Sequence, residues 1–273
     1  MSKRRRAQPS SFWRGPWPIV GTLGGIVVVV AAFIVISRLQ TPSPSGTTVP
    51  TADPSIVAEL TGVSPTVIDA VGTGGAPNPL THASGTPLTG SDGKPEVLYL
   101  GAEWCPYCAA ERWAMVVALG HFGTFTDLRL TTSSSNDVFP DTRTLSFYGS
   151  SYTSAYLDFA PVELQDRNRN PLQTPTASEQ QIAQTYDPNS SIPFIDIGNA
   201  YTMTGQGVPP GPLQGLSWQQ IAAALSNASS PVTRAIVGNA NYLTAAICTL
   251  PGTNGAPICS DPAIKQIASQ LPH

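Results

Sequence analysis

Two cysteines three residues apart, Cys105 and Cys108, stand where a short apolar run meets a helix-forming stretch. That junction constrains the fold more than any other feature of the chain. Residues 97–100 (Val-Leu-Tyr-Leu) are apolar and bounded by turn residues, which predicts a buried central strand. Residues 105–119 predict a helix whose apolar face comes from Ala109, Ala110, Trp113, Met115, Val116 and Val117. Cys105 is then expected at the helix start, among unpaired backbone N–H groups and at the positive end of the helix dipole, which favour thiolate over thiol. Two intervening residues bring Cys108 back one turn, close enough to attack a mixed disulfide on Cys105. Pro106 suits the first helical turn, where its missing N–H costs little. Trp104 and Tyr107 would shield the sulfurs and offer an apolar landing surface. Cys105 is the expected nucleophile and Cys108 the expected resolving thiol.

Other chemistries compete for that spacing. A Cys-x-x-Cys is also half of a structural zinc site. The remaining cysteines, Cys248 and Cys259, enclose ten residues, unlike a zinc knuckle, and the nearest histidine, His121, lies thirteen residues beyond Cys108. No metal and no cofactor is therefore expected. A static disulfide at Cys105–Cys108 is the other alternative, since paired thiols oxidise by default outside the cytoplasm. Cys248 and Cys259 are read as a structural disulfide pinning a Pro-Gly-rich loop, against the alternative of a second redox pair. Glu111 and Arg112 follow the motif and are read as a solvated helix face, with tuning of Cys105 as the alternative. His82 and His121 are taken as ordinary surface or core residues. The Asn189-Ser190-Ser191 and Asn227-Ala228-Ser229 sequons are treated as chance matches.

Residues 17–37 carry no charge and are nearly all aliphatic or Gly from Ile19 to Ile36. As a helix they span about 31 Å, the thickness of a bilayer hydrocarbon core. The run is longer than a signal-peptide core and ends without a small-residue cleavage site, so an uncleaved anchor is expected. Lys3, Arg4, Arg5, Arg6 and Arg14 precede it, whereas only Arg38 follows closely. The positive-inside rule then puts residues 1–16 in the cytoplasm and the C-terminal domain outside. Trp13 and Trp17 suit the cytoplasmic interface, and Gly21 and Gly25 form a Gly-x-x-x-Gly pair that offers a dimerisation face.

Beyond the anchor, residues 38–54 are Pro, Ser and Thr with almost no apolar content, a semi-extended tether. Only 11% of the chain is charged, against roughly 25% in an ordinary soluble domain, and it holds 24 Gly and 27 Pro, so long loops are expected. The net charge of −3 gives no indication of nucleic acid. Two short helices are predicted within 55–71, the second starting at Ser64-Pro65, then a turn-rich stretch (72–95) with a small hairpin around 87–89. Strands are predicted around Leu128 and Leu130, at 145–148, 156–164 and 194–197. Helices are predicted at 177–186, at 218–225 capped by Ser217, at 232–248, and after Asp261. The order is mixed α and β around one sheet.

Trp104-Cys105-Pro106-Tyr107-Cys108 after an apolar strand resembles the active site of the thioredoxin superfamily, and its Pro-Tyr dipeptide is shared with glutaredoxins. Ser191-Ile192-Pro193-Phe194-Ile195 resembles the loop in which that superfamily keeps a cis proline facing the disulfide. By that resemblance Pro193 takes the cis-proline role, and Ile192 offers backbone hydrogen bonds to a substrate. Residues 101–112 (GAEWCPYCAAER), the run from Tyr156 to Leu164, and Ile192 to Ile197 with Ser217-Trp218 are similar to a domain-of-unknown-function family of membrane-anchored thioredoxin-like proteins with a WCPYC motif, over roughly residues 55–230. The implied fold is α/β: a thioredoxin-like mixed sheet flanked by helices, with an insertion at about 133–175 before the cis-Pro strand and extra C-terminal helices at about 230–273. The domain would run over 55–273, preceded by one transmembrane helix. Gly198-Asn199-Ala200-Tyr201 replaces the Gly-Gly/Asp pair with which glutaredoxins hold glutathione, so no glutathione site is expected.

The implied function is a membrane-anchored extracytoplasmic thiol–disulfide oxidoreductase. It would act on the thiols or disulfides of exported proteins, be reset by a membrane redox partner, and contact the bilayer through residues 17–37. Trp104, Pro106, Tyr107, Ile192 and Pro193 would meet the substrate. The alternative is a tethered, non-catalytic client-binding module in which Cys105 and Cys108 are inert. A metal-handling protein is a third reading.

Overall fold

The computed structural model describes residues 50–205 and 207–273. The chain divides into two units, Met1–Thr48 and Val49–His273, and the described residues belong to the second. The basic tail, the expected anchor at 17–37 and most of the 38–54 linker lie outside the described residues. Among the described residues no helix is long and apolar enough to cross a membrane.

In chain order this unit runs α1 (Pro54–Thr61), α2 (Pro65–Val71), β1 (Thr81–His82), β2 (Glu96–Gly101), α3 (Pro106–Gly120), β3 (Gly123–Thr126), β4 (Arg129–Thr132), β5 (Arg143–Ser146), β6 (Ser151–Ser154) and β7 (Asp158–Glu163). There follow α4 (Ala177–Tyr186), β8 (Phe194–Ile197), β9 (Tyr201–Thr204), α5 (Trp218–Ala224), α6 (Pro231–Cys248) and α7 (Pro262–Ala268). Five of the chain's 27 prolines mark helix starts. Helices α1, α2, α3, α6 and α7 each open on a proline, whose missing N–H is not needed there. Capping residues complete the signal: Asp53, Ser64 and Asp261 accept first-turn N–H groups, and Thr176/Glu179 and Ser217/Gln220 form capping boxes.

A mixed five-stranded sheet in the order β1-β9-β8-β2-β7 is flanked by these helices. Central β2 runs parallel to β7 and antiparallel to β8, with Gly101 opposite Glu163 and Leu100 opposite Phe194. Alternation along β2 divides its side chains. Val97 and Tyr99 enter the main core under α3 and α6, whereas Leu98 and Leu100 join Val162 and Phe194 in a smaller cluster beneath Ile182, Ala183 and Tyr186 of α4. The second layer is thin, since α4 contributes no buried residue.

Between α3 and β7 the chain leaves the sheet and folds into two antiparallel ribbons, β3 with β6 and β4 with β5. The stretch 133–175, expected as an insertion, includes β7, an edge strand of the main sheet, and the excursion from the sheet starts at Gly123. The β4–β5 ribbon is tied to α3 by Trp113 Nε1 donating to Arg143 O (2.9 Å) and Thr144 Oγ donating to Ala109 O (2.6 Å). The small hairpin expected around 87–89 turns instead at 90–94, where Thr89 bridges to Pro95.

Candidate active site

The end of β2 delivers the chain into α3 through Ala102-Glu103-Trp104, and Cys105 is the N-cap of that helix. Its side chain accepts from the Cys108 N–H at 3.2 Å, so the sulfur occupies the place where a capping oxygen would stabilise the helix start. Across the site the peptide between Ile192 and Pro193 is cis. The Cys105 thiol donates to the Ile192 carbonyl at 3.7 Å. Five predicted residues from one turn, Trp104 to Cys108, thus meet two from a loop almost ninety positions away. Cys248 and Cys259 are elsewhere, disulfide-bonded between the end of α6 and the 3₁₀ turn Pro257–Ser260.

Cys105 and Cys108 are both free thiols, 3% and 0% exposed, and their environments pull them apart. The hydrogen bond with the Cys108 thiol lowers the Cys105 pKa from its ordinary value. Desolvation opposes this, and the Cys108 N–H, the charge of Arg112 and the Tyr107 N–H add to the lowering. Cys108 is pushed well above the thiol range by burial and by its neighbour Cys105. One sulfur is prepared to ionise and the other to keep its proton.

The two aromatic flanks are held in place by residues that sequence reasoning missed. Trp104 Nε1 donates to Gln165 Oε1 at 2.9 Å, and the Arg169 guanidinium lies over the indole, 3.7 Å from its centroid. Tyr107 meets Phe139 edge to face at 6.0 Å. Phe139 belongs to the β4–β5 loop, whose Ser134 N–H donates to Trp104 O and whose neighbouring Val138 is 71% exposed. Pro106 is buried, and Trp104, Tyr107 and Ile192 are half-buried around the sulfurs. A groove of about 290 Å³ runs beside Ile192, lined by Leu100, Leu164, Ala183, Asp187 and Ser191.

Glu111 and Arg112, expected on a solvated face, are both wholly buried. Helix α3 is covered on every side by the sheet, by α6 and by the β4–β5 ribbon, so it has no solvated face here. Arg112 makes a bidentate ion pair with Glu163 (Nε–Oε1 2.7 Å, Nη2–Oε2 2.6 Å). Glu111 accepts from Val208 N (2.9 Å) and Asn239 Nδ2 (2.6 Å), and burial raises its pKa to about 7. His82 stacks edge-on with Tyr201, while burial at the C-terminus of α3 lowers His121 to about 4. Among the described residues no three His, Cys, Asp or Glu side chains converge into a metal-ligating group.

The family profile described as a domain of unknown function, DUF929, matches residues 80–249, from before β2 to the end of α6. The chain belongs to the DUF929 family. No curated protein and no solved structure matches it. The DUF929 match spans Trp104 to Cys108, Arg112, Glu163 and the Ile192–Pro193 loop, so the entire candidate site lies inside the family's domain, whereas Cys259 lies beyond it.

Proposed function

We propose that this DUF929 protein is a thiol–disulfide oxidoreductase of thioredoxin-like fold, anchored by residues 17–37 and acting outside the cytoplasm on disulfides of exported proteins. The observation that carries the reading is the asymmetry of the two thiols: Cys105 at the helix N-cap with its pKa lowered, and Cys108 beneath it with its pKa raised. A nucleophile and a resolving thiol need that division. In the reducing direction, the Cys105 thiolate attacks a client disulfide, one client sulfur leaves as thiolate and takes up a proton, and Cys108, giving up its proton, attacks Cys105 to release the second. Two electrons pass from the pair to the client, and the oxidising direction is the reverse. The Ile192 carbonyl, facing Cys105, and the neighbouring groove offer a path for an extended client segment, with Trp104 and Tyr107 as apolar contacts. The topology rests on the basic residues before the apolar run.

The test is equilibration of the full-length protein in glutathione buffers, with Cys105 and Cys108 read by alkylation and mass spectrometry. Reversible titration of the pair between roughly −120 and −270 mV supports the reading and separates disulfide donor from reductase. A pair that stays wholly reduced or oxidised across that range refutes it. One observation favours the second reading, a non-catalytic client-binding module: Cys105 is only 3% exposed. Unchanged client binding after Cys105→Ser/Cys108→Ser replacement, with no thiol exchange in the native chain, would decide for it.

A further inference from the structure

Beneath the two thiols lies a charge that the exchange reaction does not formally require. Arg112 follows Cys108 by four residues and Cys105 by seven, so all three share one face of α3. Glu163 ends β7 opposite Gly101, at the level where β2 turns toward the cysteines. Arg112 and Glu163 are both 0% exposed. The third guanidinium nitrogen, Nη1, is buried without a partner, as is the hydroxyl of Tyr99. The guanidinium lies 5.8 Å from the Tyr99 ring centroid, and the Tyr99 hydroxyl presses so closely on Gly101 that a β-carbon there would collide with it.

A buried ion pair is a poor way to stabilise a core: apolar residues of equal volume are often as good or better. Such a pair facing reactive groups asks for a functional account. The titratable groups facing the thiols are Tyr99 from β2, Glu163 from β7 and Arg112 on α3 itself. Glu103, in the preceding turn, accepts from Thr131 Oγ at 3.5 Å. Of these only Arg112 brings positive charge, and it favours the ionised form of both cysteines.

We propose that Arg112 is a positioning residue that sets the redox poise of the Cys105–Cys108 pair, its guanidinium, aimed by Glu163, stabilising the negative charge that develops on the sulfurs when their disulfide opens. The proposal rests on the oxidoreductase reading above and gives it a direction, because stabilising the opened form biases the pair toward oxidising client dithiols. In that step a client thiolate attacks Cys105 Sγ, the Cys105–Cys108 bond breaks, and its electron pair leaves on Cys108, which takes up a proton. The second client thiol, losing its proton, then displaces Cys105 as a thiolate. The client has gained a disulfide and lost two electrons, and the pair holds them.

The experiment uses the full-length protein and two variants, one without the carboxylate of the pair and one without either charge, whose expected effects are opposite. Glu163→Gln keeps the side chain's shape, exchanges one carboxylate oxygen for an amide nitrogen, and removes the charge that offsets Arg112. It is expected to lower the Cys105 pKa, raise Cys105 alkylation at pH 6 several-fold, and shift the glutathione equilibrium toward dithiol. Arg112→Gln/Glu163→Gln removes both charges and is expected to slow alkylation at pH 6 about tenfold and move the equilibrium about tenfold toward disulfide, one pKa unit's worth. A merely structural ion pair would lower the melting temperature in both and leave these readouts alone. If either variant, native by near-UV circular dichroism, leaves both within twofold of the parent, the proposal is overturned. Failure of the unmodified pair to titrate at all refutes the oxidoreductase reading instead.

Discussion

Glu111→Gln should favour the folded protein more at pH 8 than at pH 5. The carboxyl is wholly buried on α3, against Val208 and Asn239, and its pKa is raised from an ordinary 4.5 to about 7, chiefly by desolvation. An acid whose folded pKa lies above its unfolded pKa binds more protons folded than unfolded between the two values. Stability therefore falls as pH rises from about 4.5 to about 7, and above that the loss is complete. The size follows from the shift: about two and a half units at about 1.4 kcal/mol each gives about 3 kcal/mol. Glutamine removes the charge and keeps the shape. Its carbonyl can accept the Val208 N–H, and once the Asn239 amide turns its own amide can donate to Asn239 Oδ1, in exchange for the bond Asn239 Nδ2 gives to Glu111 in the native site. One orphaned Asn239 atom is exchanged for another, a cost of about 1–3 kcal/mol at most that does not depend on pH, so the test is the change in the difference between pH 5 and pH 8.

The assay is urea denaturation of parent and variant, followed by tryptophan fluorescence at half-unit steps from pH 5 to pH 8. Since part of the loss is already present at pH 5, the variant-minus-parent difference should climb by about 2.5 kcal/mol across that range, or about 5–10 °C in melting temperature for a unit of this size. Subtracting the two curves removes other titrations, such as that of Asp196, which burial raises to about 6. A difference that stays flat within 1 kcal/mol would show that Glu111 ionises in the fold without penalty. The desolvation argument would then be wrong at this position.

Three further expectations bear on the thiols. Cys108→Ser should leave Cys105 to accumulate mixed disulfides with exported clients, visible on diagonal gels, whereas Cys105→Ser should abolish them; equal yields from both variants would remove the assigned roles. The pH profile of alkylation should show Cys105 reacting below the ordinary thiol range, because its folded pKa is lowered, while native Cys108 stays silent into alkaline pH; a Cys108 that reacts first would invert the assignment. Replacing Cys248 and Cys259 by serine should cost about 3 kcal/mol on the loop-entropy estimate for their eleven-residue separation, measured by thermal melting under nonreducing conditions. A loss under 1 kcal/mol would mean the bond restrains little.

What the sequence made legible was local. Apolar runs with turn residues at their ends located β2, β7 and β8, and the Ala177–Tyr186 helix announced itself through Thr176 and Glu179. Strand β9 was overlooked although its signal was present. Gly198 and Asn199, with φ of 64° and 55°, form the hairpin turn that favours such residues between two short apolar stretches. Strands β3 and β6 had no such signal. Gly123–Thr126 and Ser151–Ser154 are rich in Ser, Thr and Gly, and they become strands because Phe125 and Tyr152 pack together against Phe159 of the main sheet. No single-segment pattern records that contact.

The site divides the same way. Trp104, Cys105 and Cys108 could be read because they belong to one strand-to-helix turn. Gln165, Arg169, Phe139 and Glu163 could not, since each reaches the turn from a segment 30 or more residues away. Glu111 and Arg112 are the instructive failure. The solvated-face reading took the apolar positions of α3 for one stripe, but the helix is apolar nearly all round. Apart from these two residues, Pro106 to Gly120 holds no charge at all. A helix of that composition is expected to be buried on every side, and two adjacent charges inside it must then be partnered or neutralised. That inference needs no coordinates. It predicts one acid raised toward neutrality and one base in search of a carboxylate, which is the pair of states Glu111 and Arg112 adopt. What it cannot supply is the carboxylate's identity. Glu163 closes a β-strand in which the sequence shows only a Pro-Val-Glu ending, and its buried side depends on the parallel register with β2. The charged layer under the thiols was thus half legible, from the helix alone, and its other half was fixed by strand pairing.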